Sequence, residues 1–264
     1  MNICLFKPDE IDSPLSIRDP RGEHLIKILH KKEGDSFTAG IIGGKSGKAV
    51  ITSIDTYESK SPDGRKSFTD GTISFTFEED GDGKPLYPLV MIIGFPRPIQ
   101  LKRLLRDMAG LGCAEIHLTA TELGEKSYLK SDLSSPEECY NMLLEGTVQA
   151  SSTHVPSIYI HENLRDCVLE IKKRYETAAL LALDNVGSSC SLSHYLDEKP
   201  LVSGNVIKPA VAAIGSERGW TQSEREMLTA QGFTRVSMGK RVLRTETACT
   251  VGASLILSAM GVLD

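Results

Sequence analysis

The chain has 264 residues, of which 40% are hydrophobic and 25% charged, and a net charge of −5. That is the balance of a globular protein long enough to bury its own core, and it excludes a disordered chain and a protein that holds nucleic acid by bulk positive charge. The longest apolar run, LVMIIGF (89–95), is too short to cross a membrane. MNICLFKPDEIDSP lacks the basic start of a signal peptide, so no membrane partner and a cytoplasmic location are expected. The six cysteines (4, 113, 139, 167, 190 and 249) form no CxxC and no zinc-type spacing with histidine. Reduced thiols and no metal are expected.

Residues 1–72 read as a β-rich domain. A strand, NICLF (2–6), is followed by GEHLIKILHKK (22–32), where Leu25, Ile28 and Leu29 fall at helical spacing. SFTAGII (36–42) and KAVITSIDTY (48–57) are rich in β-branched residues and joined by GGKSG, which predicts a hairpin. SPDGRKSFTDG (61–71) reads as an exit loop. Residues 73–264 change style. YPLVMIIGF (87–95), AEIHLT (114–119), SIYI (157–160), AALLALD (178–184), AVAAIG (210–215) and FTRVSM (233–238) are short apolar strands. They alternate with helical patterns at 98–112, 136–152, 163–176, 221–232 and 246–262. That alternation predicts an α/β domain with a mostly parallel sheet.

Two stretches imitate nucleotide-binding motifs. AGIIGGKS (39–46) fits a relaxed phosphate loop, and LLALD (180–184) resembles an apolar strand ending in a magnesium-holding aspartate. A phosphate loop must open a helix, whereas GKAVITSIDTY continues as strand, so a hairpin turn is the reading. Three basic groups stand out: Lys102, Arg103 and Arg106; Lys172 to Arg174; and Lys240, Arg241 and Arg244. Each taken alone reads as a solvated face.

The segment 212–248 concentrates the chemistry. AVAAI ends at Gly215 and Gly219 follows four residues later. Thr221 and Glu224 form a capping box for the next helix. FTRVSM then ends in a second glycine turn at Gly239. VLRTETA follows, where Thr245 or Thr247 is placed to cap the last helix. Two strand ends with glycine turns, both opening toward helices, are where open α/β sheets bind ligands.

In order and spacing this segment resembles the end of the knotted SPOUT methyltransferases, and among them the branch that methylates N3 of a uridine in 16S ribosomal RNA. Gly215-Ser216-Glu217-Arg218-Gly219 stands at that branch's Gly-Pro-Glu-Gly-Gly. Met238-Gly239-Lys240-Arg241-Val242-Leu243-Arg244-Thr245-Glu246-Thr247-Ala248 stands at its Leu-Gly-x-Arg-Ile-Leu-Arg-x-Glu-Thr-Ala. His24-Leu25 and Gly34-Asp35 match its N-terminal domain, so the resemblance covers nearly the whole chain. It implies a PUA-like β-barrel domain (1–72) that recruits RNA, then an α/β SPOUT domain (73–264) with a C-terminal trefoil knot, in a homodimer.

The same resemblance implies S-adenosylmethionine as cofactor. Leu183, Ile214, Gly215, Glu217, Gly219, Met238, Gly239, Val242, Leu243 and Thr247 would bind it. Arg244 would be catalytic by stabilising negative charge on the uracil. His24, Lys27, Lys102, Arg106, Lys240 and Arg241 would contact small-subunit ribosomal RNA or the assembled subunit. The chain departs from the family at Asp107 and Gly110, where the pattern has Lys and Glu, and at Ser152, where it has Arg. These departures leave two alternatives beside N3 methylation: a non-catalytic RNA-binding or ribosome-assembly factor on the same fold, and ribose 2′-O-methylation.

Overall fold

A computed structural model describes residues 2–60 and 67–263 and divides the chain into two compact units. Unit one takes in the chain up to Pro85 together with Thr147–Val155; unit two holds Leu86–Gly146 and the chain from Pro156 onward.

Unit one is built on a five-stranded sheet. Its strands are β1 (Cys4–Phe6), β2 (Leu15–Ser16), β3 (Ser36–Ile41), β4 (Ser46–Lys60) and β5 (Ser67–Gly81), in the order β1-β3-β4-β5-β2. β1 runs parallel to β3 and the other pairs are antiparallel. The stretch 39–46 is the predicted hairpin: Ile41 N–H donates to the Lys45 carbonyl (2.9 Å), and Gly43 sits at φ +72°, where a side chain would be strained. No helix follows this turn, so it has no dipole to offer a phosphate. Of the predicted exit loop, 61–66 lie outside the described residues. From Ser67 the chain is already strand β5, so the sequence boundary at 72/73 falls inside that strand.

The core of unit one is one cluster around Phe6, Leu25, Phe37, Ile51 and Ile73. Phe75 packs against both Phe6 (ring centroids 5.1 Å) and Phe37 (5.7 Å). The helical stripe read at 22–32 is only partly used. Asp19 caps α1 (Pro20–Glu23), Pro20 fills its first position, and a π-helical turn continues over His24–Ile28. Leu25 is fully buried, but Ile28 and Leu29 are 64% and 45% exposed, because the wider turn rotates them off the core face.

Unit two is a seven-stranded, wholly parallel sheet flanked by helices. Along the chain it runs β6 (Tyr87–Gly94), α2 (Pro98–Gly110), β7 (Cys113–Thr119), α3 (Pro136–Gln149), β8 (Ser157–His161), α4 (Leu164–Arg174), β9 (Ala179–Leu183), β10 (Cys190–Ser191) and α5 (Leu192–Glu198). A small hairpin, β11 (Val202–Ser203) and β12 (Val206–Ile207), precedes β13 (Ala210–Ile214), α6 (Gln222–Ala230), β14 (Thr234–Ser237) and α7 (Thr245–Ala259). The sheet order is β10-β14-β9-β13-β6-β7-β8. β7 and β8 step off one side of β6, and β13 enters between β6 and β9. All five residues of β13 are buried, as a strand covered on both faces requires. The stripe of α2 buries Leu101, Leu104, Leu105 and Met108, three or four residues apart. Among the described residues no helix is long and apolar enough to cross a membrane.

The entry to α1 depends on one cation. Arg21 bonds Asp19 (Nη2 to Oδ2 2.8 Å) and Glu10 (Nη1 to Oε2 2.9 Å) and holds both carboxyls below their usual range. A depressed carboxylate stabilises the fold above its unfolded-state pKa of about 3.9 and loses that contribution as pH falls. Asp19→Asn keeps a capping oxygen and loses the charge. It is expected to cost on the order of 1 kcal/mol at pH 7, and denaturant melts should show the gap closing as pH drops below about 4.

Candidate functional site

β14, β9 and β13 are adjacent and parallel, so their carboxyl ends lie side by side. The loops leaving those three ends enclose a cavity of about 590 Å³, within the usual range of small-molecule sites. Apolar walls come from Leu183, Ile214, Met238 and Leu243; charged groups come from Asp184, Glu217, Arg225, Arg244 and Glu246.

The loop after β9 is fixed by an ion pair. Asp184 accepts from Arg225 Nε (2.6 Å) through one carboxylate oxygen and from the Val186 N–H (3.0 Å) through the other, and both partners of the ion pair are nearly buried. The aspartate of LLALD is thus committed to α6. The loop after β13 is a tight turn in which Gly219 N–H donates to the Ser216 carbonyl (2.8 Å). A Cβ on Gly215 would lie 2.9 Å from the Gly219 backbone, and Gly219 itself sits at φ +73°. Glycine is therefore required at both positions, and it leaves bare backbone facing the cavity. Glu217 reaches across to α2 and accepts from the Arg97 N–H (3.1 Å). α6 opens with the predicted capping box: Thr221 N–H donates to Glu224 Oε2 (2.8 Å), and Glu224 Oε1 also accepts from the Glu122 N–H (2.8 Å).

The loop after β14 leads into α7, whose N-cap is Arg244. No side chain caps the helix. Thr245 is its first residue and buried, and Thr247 points outward, so neither threonine takes the capping role assigned from sequence. Val242 is 88% exposed at the rim.

Of the sequence-selected residues, Leu183, Ile214, Gly215, Glu217, Gly219, Met238, Val242, Leu243 and Arg244 line this one cavity, while Gly239 and Thr247 do not. Lys240 and Arg241 are exposed on the loop before α7. Lys102 and Arg106, on α2, both pair with Glu145, which neutralises part of that patch. His24 and Lys27 lie in unit one, where Lys27 pairs with Glu23 (2.7 Å). Sequence reading missed Arg97, Asp184, Arg225 and Trp220 as cavity residues. Arg225 is brought there by Asp184 and Arg97 by Glu217, each across a long stretch of chain, whereas Asp184 and Trp220 directly follow the selected Leu183 and Gly219. The three departures have local roles or room. Asp107 accepts from Thr250 (3.2 Å), Ser152 donates to the Lys84 carbonyl (2.9 Å), and Gly110 is exposed with open space beside it.

Residues 83–257 match the model of the RNA methyltransferase domain. The chain belongs to that family. The whole cavity lies inside the span of the RNA methyltransferase domain. The chain is 38% identical over 264 residues to the ribosomal RNA small subunit methyltransferase E of Treponema pallidum, covering 98% of this chain and 91% of the relative. A ribosomal RNA small subunit methyltransferase E 1 of Borreliella burgdorferi is 32% identical, with 98% of each chain covered. The fold is shared with the Neisseria gonorrhoeae ribosomal RNA small subunit methyltransferase E bound to S-adenosyl methionine. That structure gives a TM-score of 0.71 at 18% identity over 98% of this chain and 97% of the other. A probable rRNA-methyltransferase of Porphyromonas gingivalis also gives 0.71, at 19% identity over 100% of both chains.

Because Asp184 and Arg225 are paired away from water, Arg225→Met strands a carboxylate in the wall of the cavity. It should destabilise the protein by about 3 kcal/mol, and Asp184→Asn added to it should recover part of that loss. Thermal melts of the two variants check this; a single variant as stable as wild type would show that the pair does not clamp the loop.

Proposed function

We propose that this protein is an S-adenosylmethionine-dependent methyltransferase acting on N3 of a uridine in small-subunit ribosomal RNA. The observation that carries the reading is one cavity at the carboxyl ends of β14, β9 and β13, lined by both the Gly215–Gly219 turn and Arg244. The names of the full-length relatives support the rRNA substrate, and the resemblance at 238–248 supports the uridine N3 position.

The residues present fit the cofactor. The cavity has the volume for a nucleoside joined to an amino acid, and its walls carry both signs of charge, as a ligand with a cationic sulfur, an amino group and a carboxylate requires. Trp220 lines it and has a buried indole N–H with no partner among the described residues. S-adenosylmethionine supplies an electrophilic methyl group. This chain supplies position: Gly215 and Gly219 expose backbone donors and acceptors, and Leu183, Ile214, Met238, Val242 and Leu243 pack apolar surface around them. Arg244 stabilises the negative charge that grows on the uracil as its N3 proton leaves. Lys240 and Arg241, with Lys102, Arg106, His24 and Lys27, hold RNA phosphates, contacts that position and do not specify. The target uridine must be unpaired, since N3 lies on its pairing edge.

The rest of the architecture belongs to the same proposal: unit one as a PUA-like barrel that recruits RNA, a trefoil knot formed by the C-terminal segment, Gly239 and Thr247 as further cofactor contacts, a homodimer, and a cytoplasmic location.

Two variants test the roles. Arg244→Ala should bind S-adenosylmethionine with an affinity within about threefold of wild type in calorimetry and lose turnover by on the order of 100-fold or more. Gly215→Ala, with its Cβ forced against Gly219, should lose cofactor binding while keeping the wild-type circular dichroism spectrum. Full turnover by Arg244→Ala would remove the assigned role.

A further inference from the structure

A second group of chemically capable side chains lies at the other edge of the unit-two sheet, away from the strand ends that form the cavity. β7 and β8 are its last two strands, and α4 packs against them. His117 on β7, His161 on β8 and Cys167 on α4 bring one ligand-type atom each to within 4.8 Å of one another. His117 and Cys167 are fully buried, and the His161 side chain is 10% exposed.

The orientation of the two rings carries the argument. His117 Nδ1 and His161 Nε2 face each other at 2.9 Å. Each ring has a carboxylate behind it. His117 Nε2 lies 3.0 Å from Glu115 Oε2, and His161 Nδ1 lies 3.9 Å from Glu170 Oε2. Glu115 is itself fixed from outside, by Tyr175 (2.7 Å) and Arg174 (3.0 Å), and Tyr159 stacks on His117 with ring centroids 4.6 Å apart. A carboxylate accepts and does not donate, so it favours a proton on the nitrogen it faces. The Glu115 contact favours a proton on His117 Nε2, a nitrogen that Arg174 Nη2 also approaches at 3.3 Å. That tautomer turns the His117 Nδ1 lone pair toward His161 Nε2, with a thiol beside them. A cation bound at this point would take up a lone pair from each ring and the thiolate. A carboxylate behind a ligating imidazole is the arrangement that surrounds metal-bound histidines.

We propose that His117, His161 and Cys167 bind one transition-metal ion, with zinc favoured by the N2S donor set. Tetrahedral bonds of about 2.0–2.3 Å require ligand atoms roughly 3.3–3.6 Å apart, a spacing bracketed by the 2.9 Å His–His separation and the 4.8 Å outer limit. Binding displaces the Cys167 thiol proton to solvent, so the ion's two positive charges enter as one thiolate forms. Glu115 and Glu170 both pair with Arg174, Asp166 adds a further negative charge near His161, and the ion brings net positive charge into this acidic surrounding. The ion would tie α4 to the sheet edge. Water completes its coordination, and methyl transfer does not pass through it. No CxxC or local His spacing marks these ligands, because they come from three separate elements.

The test is metal analysis of the full-length protein, purified without an affinity tag or chelator, followed by Co2+ titration of the chelator-stripped protein after circular dichroism confirms its fold. The proposal predicts about one zinc per chain and a thiolate-to-cobalt charge-transfer band that is absent in Cys167→Ser. Glu115→Gln should weaken Co2+ binding by about 10–100-fold. A folded wild-type protein that carries no zinc and gives no such band on Co2+ titration overturns the assignment. So does a band unchanged in Cys167→Ser.

Discussion

The placement of β13 between β9 and β6 is the constraint on which unit two depends. Its sequence, AVAAI, pairs in register on both sides, from Ala210 opposite Ala179 and Leu89 to Ile214 opposite Leu183 and Ile93. A strand hydrogen-bonded along both edges and covered on both faces can carry no charge, and its three alanines keep it thin enough for close cover. α7 supplies part of that cover with a face of Ala248, Cys249, Gly252 and Ala253. A Cβ on Gly252 would fall 2.4 Å from a methyl of Leu183, so the approach of α7 to the sheet also shapes the apolar wall of the cavity. Parallel pairing then does the rest: three neighbouring strands must release their chains at the same edge, and three loops converge there.

Charge around the cavity is divided between groups already committed and groups left for a ligand, Arg244 among them. Asp184 and Arg225 hold each other, Glu217 holds the start of α2, and Glu224 holds both the start of α6 and the Glu122 backbone. Arg244 has no such duty among the described residues. It stands at the N-cap of α7, exposed, on the cavity rim. The concentration of cations between Gly239 and Thr245 is therefore not a set of helix-end charges. Lys240 and Arg241 face solvent, and Arg244 faces the site.

Much of this was legible in the sequence because it is local. Continuous apolar runs predicted the buried strands, Gly-Gly-Lys-Ser-Gly predicted a hairpin where a phosphate loop was the rival, and Thr221 with Glu224 predicted a capping box that is present. The glycine turns pointed to a ligand edge from spacing alone. What was not legible is what the chain brings together over distance. Thr147–Val155 joins unit one although the flanking residues belong to unit two. Arg225 meets Asp184 across 41 residues, and His117 meets His161 across 44. Arg174 looked like part of a solvated basic run, yet it lies against Glu115 and Tyr159. Ile28 and Leu29 failed for the opposite reason. Their spacing suits an α-helix, and the π-helical turn there has a different period.

The most direct measurement supplies the purified protein with labelled S-adenosylmethionine and small ribosomal subunits lacking N3-methyluridine, then digests the RNA and identifies the labelled nucleoside by mass spectrometry. The proposed function predicts N3-methyluridine as the labelled product, with label reduced on the order of 100-fold or more when Arg244→Ala replaces the wild-type chain. Label in a ribose 2′-O-methyl nucleoside would contradict the role proposed for Arg244 on a uracil. No label from a protein that still binds the cofactor would contradict the account as a whole.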